Sequence, residues 1–420
     1  MIRRIREEWA RGKHFVLFSG LKIIAQALFA VLPFVLALYL EPKGFGIYSL
    51  SMMVVYLFSG LLVYSGGESF VLYSNKALKD NKPINKVFTA YLAFLSLSTV
   101  FFLLLAVFIS DPVSRFSSLS DGQFPFLIVA YFGIGIRYVG DSLYLALDKR
   151  QLHAVYQILI GTFYILGIFT MQLLSKLTLV NVFILLLVAP ILALICLLPF
   201  SPIKLLLPLS YDKIVFQKLF RYTTWSMLGG VAVYLISWGD NFVLRYFVSL
   251  EEIGVYNLSY QIFKGVSMVI FIVPTYFLPF VSQNIKNKEK ISSYLNNKRP
   301  ILMGAGLVGI ATVYFLTPFV LSFYGEAYAD SVAVAQFLLI GTVFMLYKNF
   351  FSPIMVALEK YKFGTQAIVL SATVNIILDF VFVPYMGIMG AALATTITYA
   401  LIAGYVWVYF HMVCKKEIFA

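Results

Sequence analysis

The sequence predicts an all-α integral membrane protein whose twelve transmembrane helices form two parallel six-helix bundles. Three observations lead to this fold class. Hydrophobic residues make up 61% of the 420 residues and charged residues only 12%, far from the composition of a soluble domain. Apolar runs of roughly 20 residues or more, each long enough to cross about 30 Å of hydrocarbon as a helix, recur along the chain. A phrase in the first half of the sequence also recurs in the second half.

The apolar runs define the helices in order. Each run is bounded by charged or turn-forming residues, and no stretch is left over for a soluble domain. The first run lacks a small-residue cleavage site and is about twice the length of a signal-peptide core, so we expect it to be retained as a helix. The predicted spans are 14–40, 45–73, 87–109, 123–146, 152–174, 179–200, 222–247, 253–283, 300–323, 331–357, 363–383 and 388–413.

The net charge of +13 comes from basic residues whose positions along the chain indicate a membrane topology. The two ends of the chain and the connections after the second, fourth, sixth, eighth and tenth helices carry 24 of the 32 basic residues. By the positive-inside rule, both termini and these connections are predicted to be cytoplasmic. The pattern does not indicate a nucleic-acid-binding protein. The alternate connections carry only Lys43, Arg115, Lys176 and Arg245.

The recurring phrase indicates an internal repeat. "FVLALYLEPKGFGIYSLS" from Phe34 aligns without a gap with "FVLRYFVSLEEIGVYNLS" from Phe242, an offset of 208 residues with seven identities. Each copy ends in an even-numbered helix that follows a short outside turn. Since each half holds six helices, both halves insert in the same sense, as in parallel-repeat transporters. We therefore expect bundles at 1–210 and 211–420 with a cleft between them.

Charged residues inside the predicted spans are candidates for lining that cleft, because lipid would not tolerate them. Arg137 and Asp141 share one stripe of the fourth helix, and Lys22 shares a face with Gln26. We expect a central cationic cavity. The candidate substrate-binding residues are Lys22, Gln26, Arg137, Asp141, Lys264 and Lys348.

Structural explanations compete with this interpretation. Arg137 and Asp141 are also spaced as an intrahelical ion pair that tolerates burial, and Lys348 is close enough to a helix end to reach the interface. The three lysines have no acid three or four residues away in their own helices. An interhelical partner remains open for them, and the candidates are Glu68, Asp240 and Asp379.

The sequence predicts no enzyme, cofactor or metal site. The cysteines, Cys196 and Cys414, and the histidines, His14, His153 and His411, show no disulfide or metal-ligand spacing. There is no P-loop pattern and no soluble span to hold a nucleotide. The longest outside connection, from about Ser110 to Gly122, is too short to hold the catalytic loop expected of a membrane polysaccharide polymerase.

One segment carries a family resemblance. "NIILDFVFVPYMGIMGAALATTITYA", residues 375–400, resembles the helix-turn-helix near the end of Wzx-type bacterial polysaccharide (O-antigen) flippases of the multidrug/oligosaccharidyl-lipid/polysaccharide exporter superfamily. The two repeat phrases resemble the same family's second and eighth helix openings. Asp379 stands where that pattern often has Asn, which leaves open the role of the polar pair Asn375 and Asp379.

The resemblance implies a flippase that moves an undecaprenyl-pyrophosphate-linked oligosaccharide across the bacterial inner membrane by alternating access, driven by an ion or proton gradient. It further implies a monomer, in contact with membrane lipid, that works with a polysaccharide polymerase and a chain-length regulator. Three alternatives stay open: a multidrug exporter of the same superfamily, a membrane polysaccharide polymerase and a peptidoglycan-precursor flippase. The exporter would favour acidic cavity residues, and the basic excess argues against it.

Overall fold

The computed structural model describes residues 20–120, 122–202, 204–231, 233–360 and 362–419. The basic residues before the first helix, His14 and the start of the first predicted span lie outside these ranges. Within them the chain is built from helices and turns, and it contains no strand. The α-helices are α1 (Ile2–Ser59), α2 (Ser65–Lys79), α3 (Asn85–Ser117), α4 (Phe124–Ala146), α5 (Arg150–Leu173), α6 (Leu179–Leu197), α7 (Lys213–Phe247), α8 (Leu250–Ile270), α9 (Ile272–Asn284), α10 (Lys288–Ser293), α11 (Arg299–Ser322), α12 (Ser331–Asn349), α13 (Ser352–Ala357), α14 (Tyr361–Tyr409) and α15 (Lys415–Phe419).

The described part of the chain has nine helical stretches long and apolar enough to cross a membrane, or ten if the bent pair within α7 is one span. The chain is therefore a multi-pass membrane protein. Two stretches, Gly20–Lys79 and Lys362–Phe419, are about twice the length that a membrane needs. Each contains one residue with non-helical backbone angles, Glu41 and Gly387. If these two long stretches each held two spans and the bent pair within α7 were one span, the count would be twelve. Twelve spans in two bundles stays a prediction.

Three elements differ from their predicted bounds. Helix α3 continues through Pro112 to Ser117, so most of the predicted outside connection at 110–122 is helical. Proline interrupts a helix less in an apolar environment, where neighbouring groups satisfy the freed carbonyl. Helix α7 begins at Lys213 rather than at residue 222, and α10 forms within the basic connection before residue 300. In α10, the Asn287 side chain accepts a hydrogen bond from the Lys290 main-chain N–H and so caps the helix.

The chain divides into two compact units. The first comprises residues 1–40 and 47–231, and the second comprises residues 41–46 and 232–420. The predicted division at 210/211 falls before α7, whereas the sequence divides between the two units within α7, at 231/232. In the first unit, Phe70 and Tyr91 stack with ring centroids 4.6 Å apart in a buried cluster. In the second, Phe351 and Phe410 pack at the same distance.

The two copies of the sequence repeat contact each other through their glycines. An ideal Cβ on Gly46 would overlap the main-chain carbonyl of Leu250, and one on Gly254 would overlap the carbonyl of Pro42. The contacts are reciprocal, since Leu250 and Gly254 lie 208 residues after Pro42 and Gly46. Only a residue without a side chain allows two backbones to approach this closely. This approach is the physical reason for a glycine at both positions.

Candidate functional site

The second unit encloses a large cavity, of ≈ 800 Å³, that we call the lysine cavity after three residues in its wall, Lys264, Lys348 and Lys360. Lys264 comes from α8 and Lys348 from α12, while Lys360 immediately precedes α14. Most of the wall is apolar, as expected for a ligand cavity. The polar lining groups include Asn241, Asn257, Tyr260, Asn349, Asn375, Thr395 and Tyr399.

Two predicted site residues, Lys264 and Lys348, thus lie in the wall of one cavity. Lys348 is partly buried, and among the described residues no carboxylate lies within 4.0 Å of it. The neighbouring Asn349 is buried, and its side-chain Nδ2 has no hydrogen-bond acceptor in the described part of the chain. Unpaired donors in a cavity wall are costly unless a ligand or water satisfies them. The wall around Lys348 is therefore suited to an anionic or acceptor-rich ligand.

Lys360 was missed as a candidate because it lies in a basic connection, where its charge was assigned to topology. Its Nζ is 2.7 Å from the Glu417 carboxylate, which is on α15. The hydrogen bond that Lys360 donates to Glu417 raises the pKa of Lys360 above its usual value. Glu359 is the single acidic residue among the residues lining the lysine cavity. Among the described residues, three lysines stand against two carboxylates, Glu359 in the wall and the Glu417 that pairs with Lys360, so the wall has an excess of one positive charge.

Behind the wall lies an acid cluster formed by Asp240, Tyr256, Asn375, Asp379 and Thr395. Asp240 and Asp379 are 5% and 0% exposed, and their carboxyl groups are within hydrogen-bonding reach of each other. The hydroxyl of Tyr256 donates to Asp240. The Thr395 hydroxyl also donates to it, at 3.0 Å, and the Asn375 amide donates to both carboxylates, at 2.6 and 2.9 Å.

The acid cluster can bind one positive charge. Two carboxylates in contact in an apolar environment cannot both stay ionised at low cost, so they share a proton or hold a cation. One oxygen, Asp379 Oδ1, has no donor in the described part of the chain. Asn375 and Thr395 connect the cluster to the cavity, because both also line it. The sequence left open the role of the polar pair Asn375 and Asp379. In the structure, Asn375 donates to both Asp240 and Asp379 and so joins the pair to a second buried acid.

The first unit contains a separate polar network of Lys22, Gln157, Asp141 and His153. Lys22 Nζ donates to the Gln157 side-chain oxygen at 2.5 Å, and the Gln157 amide donates to Asp141 Oδ1 at 3.0 Å. His153 Nε2 lies 3.0 Å from the same oxygen. His153 and Gln157 are one turn apart on α5, which positions both side chains toward Asp141 on α4. Neither was predicted as a site residue, because a glutamine and a single histidine in an apolar run show no charge or ligand spacing.

Arg137 does not pair with Asp141 in the described structure. Its guanidinium carbon lies 3.9 Å from the centre of the Phe29 ring, a cation–π contact, and its Nε has no acceptor in the described part of the chain. Gln26 is exposed, whereas Lys22 is partly buried, so the two differ in environment despite their spacing. The predicted site residues therefore fall into two groups, one within each unit. A common central cavity stays a prediction.

The acids weighed as partners for the lysines bind other groups. Glu68 accepts a hydrogen bond from the Ser226 hydroxyl at 2.5 Å, and Asp240 and Asp379 belong to the acid cluster. Asp141, which was not weighed as a partner, is instead linked to Lys22 through Gln157. This bridging amide is the reason why helical spacing alone could not find the pairing.

The chain was compared with known proteins. The sequence model of a family described as polysaccharide biosynthesis protein matches residues 35–333. The chain is also similar to the probable low-salt glycan biosynthesis flippase Agl15 of Haloferax volcanii, at 23% identity over 44% of this chain and 40% of that protein. The chain spans about two fifths of the length of the curated relatives that it matches.

Two solved structures resemble the whole chain. One is the inward closed conformation of the lipid II flippase MurJ, with a TM-score of 0.72, 18% identity, and coverage of 94% of this chain and 87% of that one. The other is the inward-facing conformation of a multidrug resistance MATE family transporter of the MOP superfamily, with a TM-score of 0.77, 14% identity, and coverage of 96% and 98%. At these identities the likeness establishes the fold alone, which this chain shares with both structures.

Proposed function

Because the chain belongs to the polysaccharide biosynthesis protein family, we propose that it is a flippase that moves a lipid-linked oligosaccharide across the membrane. The observation that carries the proposal is the lysine cavity, a space of ≈ 800 Å³ with three lysines and one carboxylate in its wall. A phosphate or pyrophosphate taken into hydrocarbon without counter-charge would face a prohibitive desolvation penalty. Lysine ammonium groups supply that counter-charge, and the amides and tyrosines of the wall offer partners for sugar hydroxyls.

We propose an undecaprenyl-pyrophosphate-linked oligosaccharide as the cargo, taken up at the cytoplasmic face and released at the opposite face of a bacterial inner membrane by alternating access. Lys22 and Arg137 of the first unit are proposed to attract the pyrophosphate as well. The resemblance to Wzx-type flippases supports this choice of carrier lipid. A monomer, both termini in the cytoplasm, and delivery to a polysaccharide polymerase and chain-length regulator complete the proposal.

The acid cluster is proposed to couple transport to a proton or cation gradient. Two buried carboxyl groups that share the Asn375 amide can take up one positive charge, and Asn375 and Thr395 connect them to the lysine cavity. A cation entering the cluster would change the hydrogen bonds of two wall residues. That change gives ion binding a physical route to the cavity, which is what coupled transport requires.

The charge of the wall weighs against export of cationic drugs. Asp240 and Asp379 are buried and absent from the residues that line the lysine cavity. A cationic drug in the cavity would therefore meet the three lysines and the Glu359 carboxylate, and it would not contact the buried acid pair directly. Repulsion of this kind disfavours the wrong cargo more strongly than weak attraction would favour the right one.

A flipping assay with matched variants tests the proposal. The purified protein is reconstituted in liposomes with a fluorescent polyprenyl-pyrophosphate-linked oligosaccharide, and the fraction accessible to an impermeant quencher is followed over time. Lys348→Gln should slow flipping about tenfold, the loss expected when one charged hydrogen bond to the cargo is removed. Lys362→Gln is the control, because Lys362 is exposed and does not line the cavity.

Equal rates for the two variants would remove the lysine cavity from the mechanism. Gradient-driven transport of a cationic dye, with no movement of the lipid-linked oligosaccharide, would replace the flippase with an exporter. For the first unit, Lys22→Gln should also slow flipping without lowering protein abundance. If Arg137→Ala lowers abundance and removal of Asp141 as well restores it, the two charges balance each other for stability without direct contact, and neither is assigned to the cargo.

A further inference from the structure

A second, smaller pocket lies at the ends of two membrane-spanning stretches of the second unit. Its volume is ≈ 230 Å³, and none of its lining residues lines the lysine cavity. We call it the π-turn pocket, because two of its walls are π-helical turns, Tyr294–Lys298 and Phe410–Cys414. The lining residues are Ser292, Leu295, Asn296, Arg299, Phe410, His411, Lys415 and Phe419.

The two π-helical turns place the polar groups of the pocket. A π turn inserts an extra residue into a helix, rotates the residues after it, and occurs frequently at functional sites. The first turn joins α10 to α11 and contributes Asn296 just before Arg299. The second joins α14 to α15 and contributes His411 just before Lys415. Without the extra residue in each turn, these groups would project from other faces of their helices.

Neighbouring residues hold both turns in place. The Tyr294 hydroxyl donates to the Phe350 carbonyl at 2.7 Å, and the Phe351 and Phe410 rings pack with centroids 4.6 Å apart. The guanidinium of Arg299 lies over the Tyr347 and Phe351 rings, at 4.7 and 4.4 Å. These two ring contacts fix the position of the Arg299 guanidinium at the pocket.

The pocket has an uncompensated positive charge. None of its lining residues is acidic, and in the described part of the chain no carboxylate lies within 4.0 Å of Arg299 or Lys415. Glu417 is the acid nearest in sequence to Lys415, and Lys360 binds it at 2.7 Å. Arginine, lysine and two neutral hydrogen-bonding side chains, Ser292 and Asn296, form a set of groups typical of phosphate recognition.

We propose that the π-turn pocket binds a phosphate group at the membrane surface. The stretches Lys288–Ser322 and Lys362–Phe419 reach the surface here, so the phosphate can belong to the headgroup of an anionic phospholipid or come free from solution. The volume equals that of about seven or eight waters, enough for a phosphate and part of a headgroup. This site is independent of the proposed cargo and of the lysine cavity.

Adjacent lysines allow a matched test. Lys415 lines the pocket and Lys416 does not, and both are exposed. The full-length protein in uncharged detergent is titrated with short-chain phosphatidic acid, short-chain phosphatidylcholine or inorganic phosphate, and binding is read from the thermal unfolding midpoint. Phosphatidic acid should raise the midpoint of the unmodified protein and of Lys416→Gln. Lys415→Gln should bind about tenfold more weakly.

The arms of the experiment separate the sources of the phosphate. Binding of phosphatidic acid alone assigns the pocket to a lipid headgroup, and binding of inorganic phosphate as well shows that the phosphate group suffices. Equal weakening by Lys415→Gln and Lys416→Gln would mean that the basic surface attracts anions without a specific pocket, which overturns the proposal. No response to either phosphate ligand also overturns it. If Lys415→Gln does not fold, Arg299→Gln takes its place with the same expectations, because it removes the other positive charge of the pocket.

Discussion

Replacing Gly254 by alanine tests the contact between the two copies of the repeat. The new methyl carbon would lie 2.7 Å from the carbonyl carbon of Pro42 and closer still to its oxygen. Two carbons reach their best contact at about 3.5 Å or more, so the two main chains would have to separate by about 0.8 Å. A main chain cannot rotate away as a flexible side chain does. The substitution therefore strains the turn that holds Pro42.

The expected cost follows from overpacking of a well-packed contact, about 1–3 kcal/mol. Alanine offsets part of it, because it stabilises a helix interior by about 0.5–1 kcal/mol relative to glycine. The control is Gly265→Ala in the same helix, α8, where an added Cβ meets no atom within 4 Å. Gly254→Ala should lower the thermal midpoint by roughly 1–3 °C, and Gly265→Ala should leave it unchanged or raise it slightly.

Thermal unfolding of the purified variants in one detergent, followed by loss of the monodisperse peak on size-exclusion chromatography, measures these midpoints. Gly46→Ala should behave like Gly254→Ala, because its Cβ would overlap the carbonyl of Leu250. The double variant should cost less than the sum of the two, since one separation of the turns relieves both overlaps. Equal midpoints for Gly254→Ala and Gly265→Ala would refute the reciprocal contact.

Three further predictions concern charged groups. Asp379→Asn removes one of two carboxyl groups in contact, so flipping should lose its response to an imposed proton or sodium gradient; a retained response would exclude the acid cluster from coupling. His153→Ala removes one of the two donors to Asp141 Oδ1 and should destabilise the protein by about 1–3 kcal/mol in thermal unfolding, whereas an unchanged midpoint would make that contact unimportant. The hydrogen bond from Lys86, at 3.1 Å, holds the pKa of Asp212 below its usual value. Its stabilising effect should be full above about pH 4 and be lost as the pH falls through the folded-state pKa, a loss that Asp212→Asn should not show.

Hydropathy predicted most of the fold because apolar length decides which segments can span a membrane. The predicted spans 123–146 and 179–200 lie within about three residues of α4 and α6. The ends were less predictable where a helix continues past the apolar run. The third predicted span ends at residue 109, yet α3 continues through Pro112 to Ser117, because neighbouring groups in an apolar environment can satisfy the carbonyl that a proline frees.

The candidate site was predictable where a charge is unusual for its surroundings. Lys264 and Lys348 are charged residues in apolar runs, and both line the lysine cavity. Lys360 lies in a connection rich in charges, where one more lysine carries no signal. Partners far apart in sequence were also beyond prediction, because only folding brings Asp240 next to Asn375, 135 residues away. Helical periodicity describes neighbours within one helix and says nothing of such contacts.

The two copies of the repeat share glycine and tyrosine at matching positions but differ in the polar residues around them. Tyr48 and Tyr256, which align in the repeat, are both buried. Two residues before the aligned segments, however, the second copy has Asp240 where the first has Leu32, so only in the second copy can the repeated tyrosine donate to an acid at that position. The serines that end the repeat also differ: Ser259 bonds to the Ser331 carbonyl at 2.9 Å, whereas Ser51 Oγ has no partner in the described part of the chain. Among the described residues the buried acid pair occurs in the second unit, so the proposed exchange of cations at that pair would act directly on that unit and its lysine cavity. In the first unit, the Gln157 amide links Asp141 to Lys22. An acid that is already linked to a lysine has less need of a second cation than the acid pair has.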